Sequence, residues 1–429
     1  MYRQIQNFLL QDKILLIVFC IFLITRLVII FFFPMHISDI HFFFEKASQG
    51  VLQKLQIYQD FTFPYPPLSI PFFYIPIWFG KTFESFRFYF QIEMFIIDCI
   101  SFFYLFLLTK NRLQFTKTQV YFILLLFTYF GLFEGLLLYD RLDMVITLFL
   151  LMMLYYYLSP NKWHRSFAYV LASFGTLIKV IPLFFIPIFF VLDLTRQKNI
   201  LKIKTSLLNL TFYLIPIVLC LGIFHIHTHG NIWESLAEHK QRGIQIESTW
   251  ATPFMLKNLF HSTNPTEIIT KYGAQHIVDK SIPKFYLQLS KYLGFFILFL
   301  FYIVFFFQRI RKNTFPDPSP YKIFSICFSL LIFLLLSQRV LSPQYFLWTL
   351  PFFCIYIIKK GTRWVLFFMT LLYILTFIGF KWYNNFMHFE SLMVFIVTLR
   401  NILLIGFGVS IIHGNIFIND TPQPAKEAS

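Results

Sequence analysis

The sequence predicts an all-helical protein with about twelve membrane-spanning helices, and three observations predict it. Of its 429 residues, 58% are hydrophobic and only 13% are charged, against roughly a quarter charged in a soluble chain. Phe alone fills 62 positions and aromatic residues make up 21%, more than the interior of a water-soluble fold can take in. Apolar runs recur from one end to the other, each near the roughly 20 residues that cross a bilayer as helix. This composition excludes a secreted domain, a DNA-binding module and a protein with a single anchor.

The spans read in order as about 14–34, 88–109, 119–138, 144–158, 167–180, 182–194, 205–225, 291–308, 323–338, 345–358, 364–380 and 391–414. The first is too long for a cleaved signal core and has no small-residue cleavage site after it, so it stays as a helix. The net charge of +16 follows the membrane. Basic residues gather in short segments at 110–117, 162–165, 196–204, 309–322 and 359–363, which the positive-inside rule places in the cytoplasm. The excess charge therefore needs no nucleic acid partner. Two long segments, 35–87 and 226–290, fall on the other side. Residues 1–418 read as one transmembrane unit and 419–429 as a disordered cytoplasmic tail. The five cysteines all lie in apolar stretches, so neither disulfides nor a thiolate metal site is expected. No Gly-rich phosphate loop is present, which argues against an ATP-driven pump.

The polar residues near the span ends carry the chemistry. Ser38-Asp39-Ile40-His41 opens an amphipathic segment at the membrane surface, read as a helix parallel to the bilayer. A carboxylate at Asp39 lies beside hydrocarbon yet reaches water, a setting that suits a general base. An N-cap by Ser38 or Asp39 is the ordinary alternative. Tyr58-Gln59-Asp60-Phe61 and Pro64-Tyr65-Pro66-Pro67-Leu68 follow. Three prolines in four positions rule out a helix interior and force an extended approach, and 68–79 reads as an interfacial or re-entrant elbow. Asp140, Arg141 and Asp143 occupy a turn between two spans. Lys179 stands in Gly175-Thr176-Leu177-Ile178-Lys179-Val180-Ile181-Pro182, and Gln338-Arg339 leads into Ser342-Pro343-Gln344-Tyr345-Phe346-Leu347-Trp348. Charges at such depth usually face a cavity or a partner. Snorkelling of Lys179 and a plain Arg141–Asp143 pair remain open. In the second long segment, Arg242-Gly243-Ile244-Gln245-Ile246-Glu247-Ser248 carries one charge of each sign and reads equally as solvated loop. His225, His227 and His229 alternate as metal ligands on a strand would, but without a companion carboxylate they read better as a polar helix end.

In order, these elements resemble the polytopic GT-C glycosyltransferases that use polyprenyl-phosphate sugars. The likeness is to glycosyltransferase family 87 and, more distantly, to the GPI mannosyltransferase that adds the first mannose. It runs from about residue 14 to residue 360. It rests on the acidic residue after the first helix, Tyr-x-Asp-Phe, Tyr-Pro-Pro-Leu, Gly-Thr-x-x-Lys-x-x-Pro, Arg-Gly-x-Gln-x-Glu-Ser and Ser-Pro-Gln-Tyr-x-x-Trp. The GPI enzymes carry Asp-x-Asp where this chain has Asp39-Ile40-His41, a departure that argues against a metal and against the eukaryotic reaction.

The resemblance implies a GT-C-like fold and an inverting transfer, with mannose as the expected sugar, to a glycolipid or glycan acceptor. Asp39 falls on the family's catalytic base. Lys179, Arg339 and Arg242 are the expected partners of the donor phosphate, and no cofactor is expected. His41, Asp60, Tyr65, Asp140, Arg141, Asp143, Glu247, Gln344 and Tyr345 are expected to bind or support substrate. The active site would face the non-cytoplasmic side, with a bacterial inner membrane the preferred location. A lipid or solute transporter is the rival outside enzymes, and a lipid-linked glycan polymerase or ligase the rival within them. A transporter usually shows two related halves, which this chain lacks. A polymerase's outer loops are rich in arginine, whereas Arg242 is the only arginine in 226–290.

Overall fold

The computed structural model describes residues 12–33, 38–195, 201–233, 242–260, 267–271, 274–278, 282–311 and 318–416. The tail at 419–429 and the basic residues Arg196 and Lys198 lie outside them. Helix follows helix along the chain: α1 (Lys13–Phe32), α2 (Ser38–Val51), α3 (Ile70–Phe79), α4 (Phe83–Leu107), α5 (Lys117–Glu134), α6 (Asp143–Tyr157), α7 (Lys162–Ile178), α8 (Ile186–Thr195), α9 (Leu201–His227) and α10 (Thr252–Phe260). After a hairpin come α11 (Lys284–Arg311), α12 (Pro320–Ser337), α13 (Phe346–Lys360), α14 (Arg363–Lys381), α15 (Tyr383–Met387) and α16 (Ser391–Ile416).

Each of the twelve apolar segments read from the sequence coincides with one of these helices. Seven helices among the described residues are long and apolar enough to cross a membrane: α1, α4, α9, α11, α12, α14 and α16. The remaining five coincident helices are shorter or less apolar. The outward faces agree with a lipid surround. Ile17, Ile24 and Phe31 on α1, Val218 and Leu219 on α9, and Phe295, Phe299 and Phe307 on α11 are all largely exposed. Apolar surface on that scale is not left facing water by a soluble monomer. The protein is an integral membrane protein built of helices.

The helical fold class holds, with one short hairpin added: β1 (Glu267–Lys271) and β2 (Ala274–Val278) pair antiparallel, with Glu267 opposite Val278. The alternating histidines do not lie there. His225 and His227 end α9, which agrees with the polar helix end.

Inside, a buried ion pair ties the first three long helices. Arg26 of α1, fully buried, donates from Nε to Asp98 of α4 at 2.8 Å and from Nη1 to the Thr128 carbonyl of α5 at 3.0 Å. The Tyr139 hydroxyl donates to the same Asp98 oxygen at 2.9 Å. In hydrocarbon a lone charge there would be prohibitive; the pairing makes it tolerable. α2 buries Ile40, Phe43 and Ala47 along one face while His41 and Glu45 stay exposed, the amphipathic pattern expected of it.

Candidate functional site

The segments that the sequence assigns to one side of the membrane converge at one end of the helices. They enclose a cavity of about 1310 Å³. One wall is built by the Gly-Thr-x-x-Lys-x-x-Pro segment. α7 stops at Ile178, and Lys179 is already extended, with φ −156° and ψ 134°. The stop follows from Pro182 three residues on, which starts a 3-10 turn over Ile181–Phe185. Gly175 is where this turn folds back: a Cβ there would lie 2.8 Å from Pro182 Cγ and 3.2 Å from Phe149 Cβ. Close approach of backbone is the reason for glycine. The result is that Lys179 leaves the helix axis and lines the cavity.

Lys179 Nζ donates to Asp143 Oδ1 at 2.7 Å, and the Trp348 indole N–H donates to the same oxygen at 2.7 Å. Asp143 stands in the first turn of α6, where the helix dipole favours a carboxylate. The ammonium also lies 4.8 Å from the ring centres of both Tyr345 and Trp348, which stack 4.4 Å apart. Those rings come from the 3-10 turn Pro343–Tyr345 and the start of α13.

The opposite wall is the strap 242–248. Its backbone is held from three directions. Gln245 N–H donates to the Arg339 carbonyl at 2.9 Å, and Ile246 N–H to the Gln275 carbonyl beside it at 3.1 Å. Arg400 Nη2 of α16 donates to the Glu247 carbonyl at 2.6 Å. Beneath it Ile244, Ile246, Met255, Ile277 and Val394 form a second small apolar core. Glu247 is thereby fixed on the cavity lining and buried. Burial pushes its carboxyl up to about 7, against the pull of the Arg400 and Arg141 guanidiniums. Burial likewise lowers Arg141 to about 10, with Asp143 opposing the shift. Arg339 is lowered by burial too. Arg242 lines the cavity, and its Nε is buried without a hydrogen-bond partner among the described residues.

Of the residues singled out in the sequence, the structure gathers Tyr65, Arg141, Lys179, Arg242, Arg339, Glu247, Gln344 and Tyr345 on this lining, with Asp143 directly behind it. Burial raises the Tyr65 phenol, which keeps it protonated as a donor. Three others are not on the lining. Asp140 is held by Arg87 and Gln91 of α4. Asp60 turns back on its own loop and accepts from the Gln56 N–H at 2.6 Å. His41 is half exposed, pairs with Glu45 at 3.1 Å and packs on Phe83. Asp39 begins α2, but its side chain lies outside the described residues; Phe42, Phe43 and Lys46, one to two turns later, line the cavity. Sequence reasoning gave Gln245 and Trp348 no role beyond their place in the motifs and passed over residues 382–385 after α14, all of which also line it. The polar break Lys381-Trp382-Tyr383-Asn384-Asn385 in an apolar run was the available signal.

The cavity thus combines seven cationic side chains, Lys46, Arg141, Lys179, Arg242, Lys291, Arg339 and Lys381, with one carboxylate of raised pKa. Phe295 of α11 lines it and is 65% exposed. That arrangement suits an anion carried on an apolar chain, with the cations holding the charge and α11 offering a lipid-facing side. Among the described residues no group of three or more His, Cys, Asp or Glu side chains is placed to hold a metal ion. No protein-family profile matches the chain, and no curated protein matches it.

Proposed function

We propose that this chain is an integral membrane glycosyltransferase of GT-C-like fold with twelve spans. It moves a sugar, mannose by resemblance, from a polyprenyl-phosphate donor to a glycolipid or glycan acceptor on the non-cytoplasmic face of a bacterial inner membrane. The observation that carries this reading is the convergence of Arg141, Lys179, Arg242 and Arg339 on one cavity beside the lipid-exposed face of α11. A lipid phosphate entering from the bilayer meets cations there, and its hydrocarbon chain stays outside.

In this reading the Asp39 carboxylate takes the proton of the acceptor hydroxyl as that oxygen attacks the anomeric carbon. The bond from that carbon to the phosphate oxygen breaks, its electron pair leaves with the polyprenyl phosphate, and the configuration inverts. Lys179, Arg242 and Arg339 offset the charge that grows on the leaving phosphate. The Asp143 carboxylate and the Tyr345–Trp348 stack keep the Lys179 ammonium in place.

The test is release of polyprenyl phosphate from polyprenyl-phosphate mannose by detergent-purified protein, by hydrolysis or transfer. A transporter leaves the donor intact, and that result overturns the reading. Asp39→Asn separates base from cap, since Asn caps nearly as well as Asp but cannot take a proton. The expected variant melts like the wild type and loses about 10²–10⁴ in rate.

A further inference from the structure

Two buried side-chain oxygens on the cavity lining have no donor opposite them among the described residues. Gln245 Oε1 and Gln344 Oε1 make no hydrogen bond there, although their residues are only 2% and 8% exposed and both line the open volume. Buried acceptors are rarely left this way, because water has been stripped off and nothing replaces it. The orientation of Gln245 is fixed by its other end, where Nε2 donates to Glu247 Oε2 at 2.9 Å.

The backbone of both residues is fastened. Gln245 is clamped by its own N–H on the Arg339 carbonyl and by the Ser248 hydroxyl, which donates to the Gln245 carbonyl at 2.7 Å. Gln344 sits in a 3-10 turn closed by the Tyr345 N–H on the Ser342 carbonyl at 3.0 Å. The Gln245 oxygen is therefore held in place before any ligand arrives, and the Gln344 side chain springs from a fixed backbone, as a recognition site requires.

Acceptors without donors complement hydroxyl groups and repel anions. Lys179, Arg242 and Arg339 on the same lining do the opposite. A ligand that satisfies both has a charged part and a neutral part rich in O–H donors. We propose that Gln245, Glu247 and Gln344 form a hydroxyl-reading subsite that binds the sugar ring of the lipid-linked donor and selects which sugar is accepted. This rests on the reading that the donor is a polyprenyl-phosphate sugar. Carbohydrate hydroxyls of the donor are the source favoured here, because one molecule then meets both kinds of lining.

The test compares two probes, polyprenyl phosphate and polyprenyl-phosphate mannose, bound by the full chain in detergent. The wild type is expected to bind the mannose-bearing lipid more tightly. Gln344→Leu is expected to cut that advantage about tenfold, the worth of one buried hydrogen bond whose partner is left unmet. Gln344→Glu keeps an acceptor oxygen at the position and is expected to retain the advantage, which a loss of packing would not explain. Gln245→Leu is the second variant, and thermal melting confirms that each is folded. A wild type that binds both lipids equally, or a folded Gln344→Leu and Gln245→Leu that keep the advantage, overturns the subsite alone. A wild type that binds neither lipid overturns the donor reading and the subsite with it.

Discussion

Asp140 and Asp143 lie three residues apart in one turn, both are nearly fully buried, and they meet opposite kinds of partner. Asp140 receives Arg87 Nε at 3.1 Å, Arg87 Nη2 at 2.9 Å and the Gln91 amide at 2.8 Å, all from α4. Arg87 and Gln91 are one helical turn apart, so a single face of α4 grips the carboxylate. The planar guanidinium fork satisfies both oxygens at once and has little left for a ligand. Asp143 meets a lysine and an indole on one oxygen. An ammonium has three N–H groups and gives one of them to Asp143, so the lysine is oriented without being used up. The first carboxylate pins a helix to a turn; the second aims a cation into a cavity.

Substitution on each side should therefore fail differently. Asp140→Asn leaves Arg87 as a poorly compensated buried charge and is expected to cost about 3–5 kcal/mol of stability, read as a lowered melting point in detergent, while the folded fraction keeps its rate of donor turnover. Lys179→Met leaves Asp143 only the Trp348 N–H and lowers the melting point as well, but its folded fraction is expected to lose about 10²–10³ in rate. Asp140→Asn whose folded fraction is inactive, or folded Lys179→Met that keeps its rate, would erase the distinction between the two aspartates.

The sequence distinguishes these two carboxylates poorly, and the reason is physical. Apolar runs of bilayer-spanning length placed every long helix, because a bilayer imposes length and composition on each span separately. Lys179 was legible because a charge between apolar runs has few places to go. The partner of a carboxylate is a tertiary fact: Arg87 is 53 positions from Asp140, and Trp348 is 205 from Asp143. Nothing local marks them. Arg26 was similarly hidden inside an apolar run, where its 0% exposure depends on Asp98, 72 positions away. Gln245 stands in a motif but was given no role, because an uncharged amide in a polar loop looks solvated; the strap it belongs to is anchored to Arg339 and Arg400.

Glu247 sharpens the comparison through pH. Its folded pKa is about 7 against an ordinary 4.5, with burial as the main cause. Between those values the folded protein holds a proton that the unfolded chain has released. The stability this group contributes is thus full below about pH 4.5 and falls as pH rises to about 7, by roughly 1.4 kcal/mol per pH unit over the window. Glu247→Gln removes this group's share of the slope and is expected to make the fall in melting temperature between pH 5 and 7 shallower. If the slope survives unchanged, its source lies in another carboxyl.

The smallest expected effect concerns how the first long loop closes the cavity. Pro64, Tyr65 and Pro66 line it, and the loop is fastened at two points. The Tyr58 hydroxyl donates to the Tyr65 carbonyl at 2.5 Å, and the Ser69 hydroxyl donates to the Pro66 carbonyl at 2.6 Å. Pro66 is extended at φ −62° and ψ 158°, and Pro67 opens the 3-10 turn that leads into α3. Both backbones suit proline, so its ring restrains mainly the unfolded chain. Replacing Pro66 and Pro67 together by Ala removes no hydrogen bond and no charge. The expected cost is roughly 0.4–1 kcal/mol of stability per proline, with a modest fall in turnover as Tyr65 loosens and no change in membrane insertion. Unlike Lys179→Met, the double variant should regain most of its rate at lower temperature, since it loses order and keeps its chemistry. A double variant as inactive as Lys179→Met would mean that the prolines shape the cavity lining itself, and that the loop belongs with Asp143 and not with the structural side of the comparison.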